Sequence, residues 1–125
     1  MENLQIAKTS RTPAVSLDAE KGLLEIKGMS IPQNAKEFYK PIMQWIEQYS
    51  QNPTHKTVVI MRFDFYNTST AKYITDILKT FEALHKKGND IKIQWQYEKD
   101  DESYELDGKD YAEWFDVPIE VVEVL

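Results

Sequence analysis

From Asn34 onward the apolar residues alternate between helical and strand spacing, and that alternation limits the chain to a short list of folds. Asn34 followed by Glu37 has the geometry of a capping box, with Asn in the usual Ser/Thr place. Beyond it Phe38, Ile42, Trp45 or Ile46, and Tyr49 recur at three and four residues, which predicts a helix with one apolar face. Pro41 lies inside that pattern and should bend the helix or delay its start, because it has no N–H to donate. Thr57 to Phe65 is β-branched and apolar in its first half, as expected of a central strand covered on both faces. Ala71, Ile74, Ile77, Leu78, Phe81 and Leu84 then form a stripe at helical period, closed by a basic last turn and Gly88 as C-cap. Ile91 to Tyr97 alternates as a strand, and a last strand, Ile119 to Val124, follows Pro118.

Before this series, Ala14–Leu17 and Leu23–Ile26 flank a polar loop ending in Gly22, which predicts a β-hairpin. Residues 1–12 fit either an edge strand around Leu4-Gln5-Ile6 or a loose arm. Strands separated by helices imply right-handed crossovers. The expectation is therefore one α/β domain over residues 1–125, with a mixed, mostly parallel sheet, an N-terminal β-hairpin and helices packed on it. At 125 residues the chain is long enough to bury a substantial core.

Several functions lack the residues they need. The formal charge of -6 argues against binding a phosphate backbone, so no nucleic acid is expected as a partner. No apolar run approaches the ~20 residues of a membrane span, and Met1 to Ile6 has no basic stretch leading into an apolar one. No membrane association and a cytoplasmic location are the expectations. Without cysteine there is no disulfide, thiolate nucleophile or thiolate ligand. His55 and His85, on a loop and near a helix end, read as solvated surface residues. No metal and no cofactor is expected. The four glycines are too scattered for a phosphate loop, and no zinc spacing occurs. An EF-hand register with Gly108 at the turn puts Ser103 and Trp114 at its ends, where carboxylates are required. A binding or regulatory module is a better reading than an enzyme, and no catalytic residue is assigned.

Glu98 to Asp116 carries nine acidic residues against two lysines. It also holds Tyr104, Leu106, Tyr111, Trp114 and Phe115, too many apolar groups for a disordered tail. Tyr111, Trp114 and Phe115 are helix-spaced, which predicts a short helix docking these rings on the sheet.

The most informative stretch is Tyr66-Asn67-Thr68-Ser69-Thr70-Ala71-Lys72, where the central strand gives way to the best helix. A helix start leaves backbone N–H groups without partners, and Asn, Ser and Thr side chains accept from them. Those same N–H groups and the positive end of the helix dipole also suit a phosphate. Both a cap and a modification site fit these residues.

The junction has the layout of the STAS domains, the anti-sigma-factor-antagonist group, in which a modifiable Ser after an Asp opens the second long helix. This chain departs from that signature. It more closely resembles the SiaC family of regulatory phosphoproteins, nearly end to end. The likeness is carried by Thr12-Pro13, Leu24-Glu25-Ile26-Lys27-Gly28, Ser30-Ile31-Pro32, Glu37-Phe38-Tyr39-Lys40-Pro41, Asn67-Thr68-Ser69, Leu84-His85-Lys86-Lys87-Gly88-Asn89 and the acidic stretch after Tyr97.

The resemblance implies a STAS-like, non-enzymatic partner-switching protein. A dedicated kinase would phosphorylate Thr68, a PP2C-type phosphatase would reverse it, and the unmodified form would bind and activate a diguanylate cyclase, controlling cyclic-di-GMP and biofilm. Asn67, Ser69 and Lys72 would then belong to the partner-binding surface around the switch. Lys72, four residues along the helix from Thr68, could pair with the phosphate, whereas Asp64 would oppose it. Thr70 has no role assigned. The alternative is a constitutive protein-interaction domain docking a basic partner through Glu98–Asp116, with Asn67–Thr70 only a cap.

Overall fold

The computed structural model describes residues 1–124. In chain order the elements are β1 (Leu4–Ile6), β2 (Ala14–Asp18), β3 (Leu23–Ser30), α1 (Ala35–Gln51), β4 (Lys56–Tyr66), α2 (Thr68–Lys86), β5 (Asp90–Glu98), α3 (Glu102–Trp114) and β6 (Ile119–Val124). The strands form one sheet in that same order. β1, β2 and β3 run antiparallel, and β3 to β6 run parallel. Leu4-Gln5-Ile6 is thus an edge strand paired with Leu17-Ser16-Val15.

The hairpin turn depends on Gly22, at φ +64. A Cβ there would stand 2.2 Å from the Lys56 carbonyl oxygen, so any larger residue would push the hairpin off the start of β4. α1 begins at Ala35 with Asn34 accepting from the Glu37 amide, and Pro41 sits inside it without delaying its start.

In every strand from β2 to β5 alternate residues are buried. Cross-strand register joins them into rows such as Val15, Ile26, Met61 and Trp95. The helices cover this face: Tyr39 and Tyr49 of α1 reach Ser30 and Thr57, Thr70 of α2 reaches Ser30, and Tyr104 of α3 accepts from Trp95. The sequential parallel order explains the one-sidedness, since right-handed crossovers in a constant direction all pass over the same face. β4 is central but not covered on both faces, correcting the expectation from its apolar first half. Val58 and Ile60 lie half-exposed on the open face, flanked by the Lys27–Glu25 and Lys92–Glu120 ion pairs.

α3 is a full thirteen-residue helix, longer than expected. Tyr111 is buried and Phe115 half-buried as predicted, but Trp114 is 67% exposed. The difference is one of helix phase. The face turned to the sheet is set by Tyr104, Gly108 and Tyr111, and Trp114 lies at its rim.

Candidate functional site

The parallel strands β3, β4 and β5 all end at one edge of the domain, and each is followed there by a helix N-terminus. The β4–α2 junction lies in the middle of that edge. Its three hydroxyls occupy three different environments.

Asn67 is the cap. Its Oδ1 accepts from the Thr70 amide at 3.0 Å, and its carbonyl accepts from the Ala71 amide at 3.1 Å. Ser69 Oγ donates to the same Oδ1 at 3.0 Å, so this hydroxyl steadies the capping amide. Thr70 is fully buried, and Oγ1 donates to the Ser30 carbonyl at 3.0 Å. Ser30 Oγ lies 2.9 Å from Thr70 Oγ1 and 2.6 Å from the Tyr39 hydroxyl, a closed network joining β3, α1 and α2. Burial holds the Tyr39 hydroxyl above the usual tyrosine pKa, so it remains protonated and available to this network.

Thr68, the first residue of α2, is exposed. Among the described residues its hydroxyl has no hydrogen-bond partner, and the Thr68 and Ser69 amides are likewise open, as the first turn of a helix requires. The helix phase separates Thr68 from Thr70. Thr70 precedes Ile74 by four residues and Ile77 by seven, in line with the buried stripe, while two residues back the chain has turned ~200° toward solvent. That stripe was visible in the sequence, so Thr70 could have been assigned to the core from it.

Lys72 is exposed, with Nζ 6.0 Å from the centre of the Tyr73 ring. Tyr73 in turn stacks on Tyr39 of α1 at 4.8 Å. Thr68, Ser69 and Lys72 therefore share one accessible patch at the head of α2, and Asn67 organises it from beneath.

A residue that sequence reasoning left open completes the junction. Tyr66, the last of β4, donates its hydroxyl to Asp107 Oδ2 in α3, and its amide donates to the Tyr104 hydroxyl at 3.3 Å. The Tyr66 ring stacks on Tyr104 at 5.3 Å and meets Trp95 edge-on. Burial first, and the Asp107 carboxylate second, push the Tyr66 hydroxyl well above its ordinary pKa, so it stays a donor. Nothing in the local pattern around Tyr66 or Asp107 signals this pairing, because 41 residues separate them.

Among the described residues no group of three His, Asp or Glu side chains is placed to hold a metal. No described helix is long and apolar enough to cross a membrane. The histidines stand apart, His55 on the exposed α1–β4 loop and His85 in the last turn of α2.

Comparison with known proteins concerns the chain as a whole. Residues 6–124 match the family described as SiaC family regulatory phosphoprotein. An uncharacterized protein of Pseudomonas aeruginosa strain UCBPP-PA14 is 30% identical over 102 residues, covering 82% of this chain and 81% of that protein. The solved structure of SiaC of Pseudomonas aeruginosa superposes with a TM-score of 0.90 at 26% identity, over 99% of this chain and 100% of that one. The SiaC chain in a crystal structure of diguanylate cyclase SiaD with its activator SiaC, from the same organism, gives 0.92 at 26% identity, over 97% and 99%.

Proposed function

The chain belongs to the SiaC family of regulatory phosphoproteins, and from that premise we propose that it is a phosphorylation-gated adaptor whose switch is the hydroxyl of Thr68. In this reading the unmodified protein binds and activates a diguanylate cyclase, as the related SiaC is described as doing for SiaD. A cognate kinase adds phosphate to Thr68 and a PP2C-type phosphatase removes it.

The observation that carries this reading is the division of labour among the three hydroxyls. Thr70 is committed to the core and Ser69 to the cap, which leaves Thr68 exposed and without a partner among the described residues. Because Asn67 supplies the cap, Thr68 can be modified without undoing the helix start. A phosphate adds roughly -1.5 to -2 charges and strong acceptor oxygens beside open N–H groups at the positive end of α2. The start of α2 therefore accommodates it, while any surface that packs over Thr68 must desolvate a dianion. That costs several kcal/mol, and ~1.4 kcal/mol already weakens binding tenfold.

Affinity of the purified cognate cyclase for Thr68→Ala and Thr68→Asp tests the proposal. Thr68→Ala should bind like the parent and Thr68→Asp more weakly. Equal binding by both would remove Thr68 from the contact surface, and site mapping that found phosphate on Ser69 instead would move the switch.

A further inference from the structure

α2 turns a ridge of residues toward α3, spaced seven apart and therefore aligned after two turns. Glu82 Oε2 accepts from the Asp116 amide, just past α3, at 2.6 Å. Thr75, seven residues before Glu82, lies half-buried on the same line, its hydroxyl donating to the Ala71 carbonyl at 3.1 Å. Seven residues earlier, the head of the same ridge is Thr68. A phosphate there would lie on the side of α2 turned toward the segment that leads into and opens α3, where Glu98, Asp100, Asp101, Glu102, Glu105 and Asp107 outnumber Lys99, Arg62, which pairs with Glu98, and Lys109, which pairs with Glu105.

α3 is also a lightly held element. Only Gly108 and Tyr111 are buried along it. Gly108 lies directly against the Trp95 ring, and the amino-terminal half of the helix is otherwise anchored by the Tyr66–Tyr104 ring stack and by hydrogen bonds. The Tyr104 carbonyl accepts from Trp95 Nε1 at 2.8 Å, and Tyr66 supplies the links to Asp107 and the Tyr104 hydroxyl. Tyr66 is thus bonded through the chain to the cap of α2 and through hydrogen bonds to α3.

We propose that the Tyr66–Asp107 hydrogen bond makes the docking of α3 a readout of the Thr68 state: phosphate at Thr68 repels the carboxylates of α3 and strains this link, releasing the helix from the sheet. The inference rests on the Thr68 switch and extends it. The phosphate then acts on the partner surface twice, directly at the head of α2 and indirectly by loosening its acidic neighbour. Elements with few buried contacts are where such local opening is expected.

Hydrogen exchange of the full chain, read by mass spectrometry, tests it. Protein phosphorylated by its cognate kinase, with the site mapped to Thr68, should exchange the amides of residues 102–114 at least about tenfold faster than unmodified protein. Exchange in α1 should not change. Tyr66→Phe, which keeps the ring stack and removes the hydroxyl, should speed the same segment in unmodified protein. Asp107→Asn keeps an acceptor but removes the charge, so α3 should stay docked and the response to phosphate should shrink. Phosphate at Thr68 with exchange in 102–114 unchanged overturns the coupling alone. No phosphate at Thr68 overturns it together with the switch. Unchanged exchange in Tyr66→Phe removes Tyr66 as the link.

Discussion

Replacing Thr70 by Val is the sharpest test of how the head of α2 is held. The two side chains have nearly the same shape, so the change removes a hydroxyl and little else. In the folded protein that hydroxyl donates to the Ser30 carbonyl at 3.0 Å and touches Ser30 Oγ at 2.9 Å, fully buried. Losing a buried hydrogen bond of this kind costs about 1–3 kcal/mol. Two compensations place the effect in the lower half of that range. The Ser30 carbonyl still accepts from the Asn67 amide at 3.3 Å, and Ser30 Oγ still has Tyr39 at 2.6 Å. A loss of about 1–2 kcal/mol corresponds to a fall of roughly 0.5–1 M in the urea midpoint, for a slope of ~2 kcal/mol/M. The control is Thr68→Val, the same chemical change two residues away on an exposed side chain, which should stay within about 0.5 kcal/mol. Equal shifts for the two variants, or a Thr70→Val protein as stable as the parent, would refute the assignment of Thr70 to the core and Thr68 to the surface.

Gly108→Ala should destabilise by about 1–3 kcal/mol through overpacking, because the added Cβ would stand 2.4 Å from Trp95 Cδ1; thermal unfolding measures it, and an unchanged midpoint would show that α3 is not seated on Trp95. Stability should also fall as pH rises past about 10. Burial raises the folded-state pKa of Tyr39, Tyr66 and Tyr111, so these groups stabilise the fold fully below the ordinary tyrosine value and lose that contribution as unfolded chains begin to ionise above it. Denaturant titrations from pH 8 to about 11 check the slope, which should be shallower in Tyr66→Phe; identical slopes would mean that Tyr66 ionises alike in both states.

Much of the architecture was written in local patterns. Asn34 and Asn67 each stand before a helix and act as its cap. The polar loop ending in Gly22 turns the hairpin, and Gly88, at φ +98, follows Lys87, the C-cap of α2, as a C-terminal glycine should. What local pattern cannot supply is which face of an element meets the rest. The Val58 and Ile60 side chains look as apolar as Val59 and Met61, yet the first two lie on the open face because every crossover passes over the other one. Thr68, Ser69 and Thr70 are near-equivalent in one dimension. Only helix phase relative to the sheet assigns one to solvent, one to the cap and one to the core. Tyr66 and Asp107 were beyond reach for another reason, since a hydrogen bond between distant segments leaves no mark on the residues around either partner.

The most direct measurement is a titration of the purified cognate diguanylate cyclase with this protein in two forms, unmodified and stoichiometrically phosphorylated at Thr68. A buried contact with the head of α2 predicts that the phosphorylated form binds at least about tenfold more weakly and fails to activate the cyclase at concentrations where the unmodified form does. Equal affinity and equal activation by both forms would contradict it.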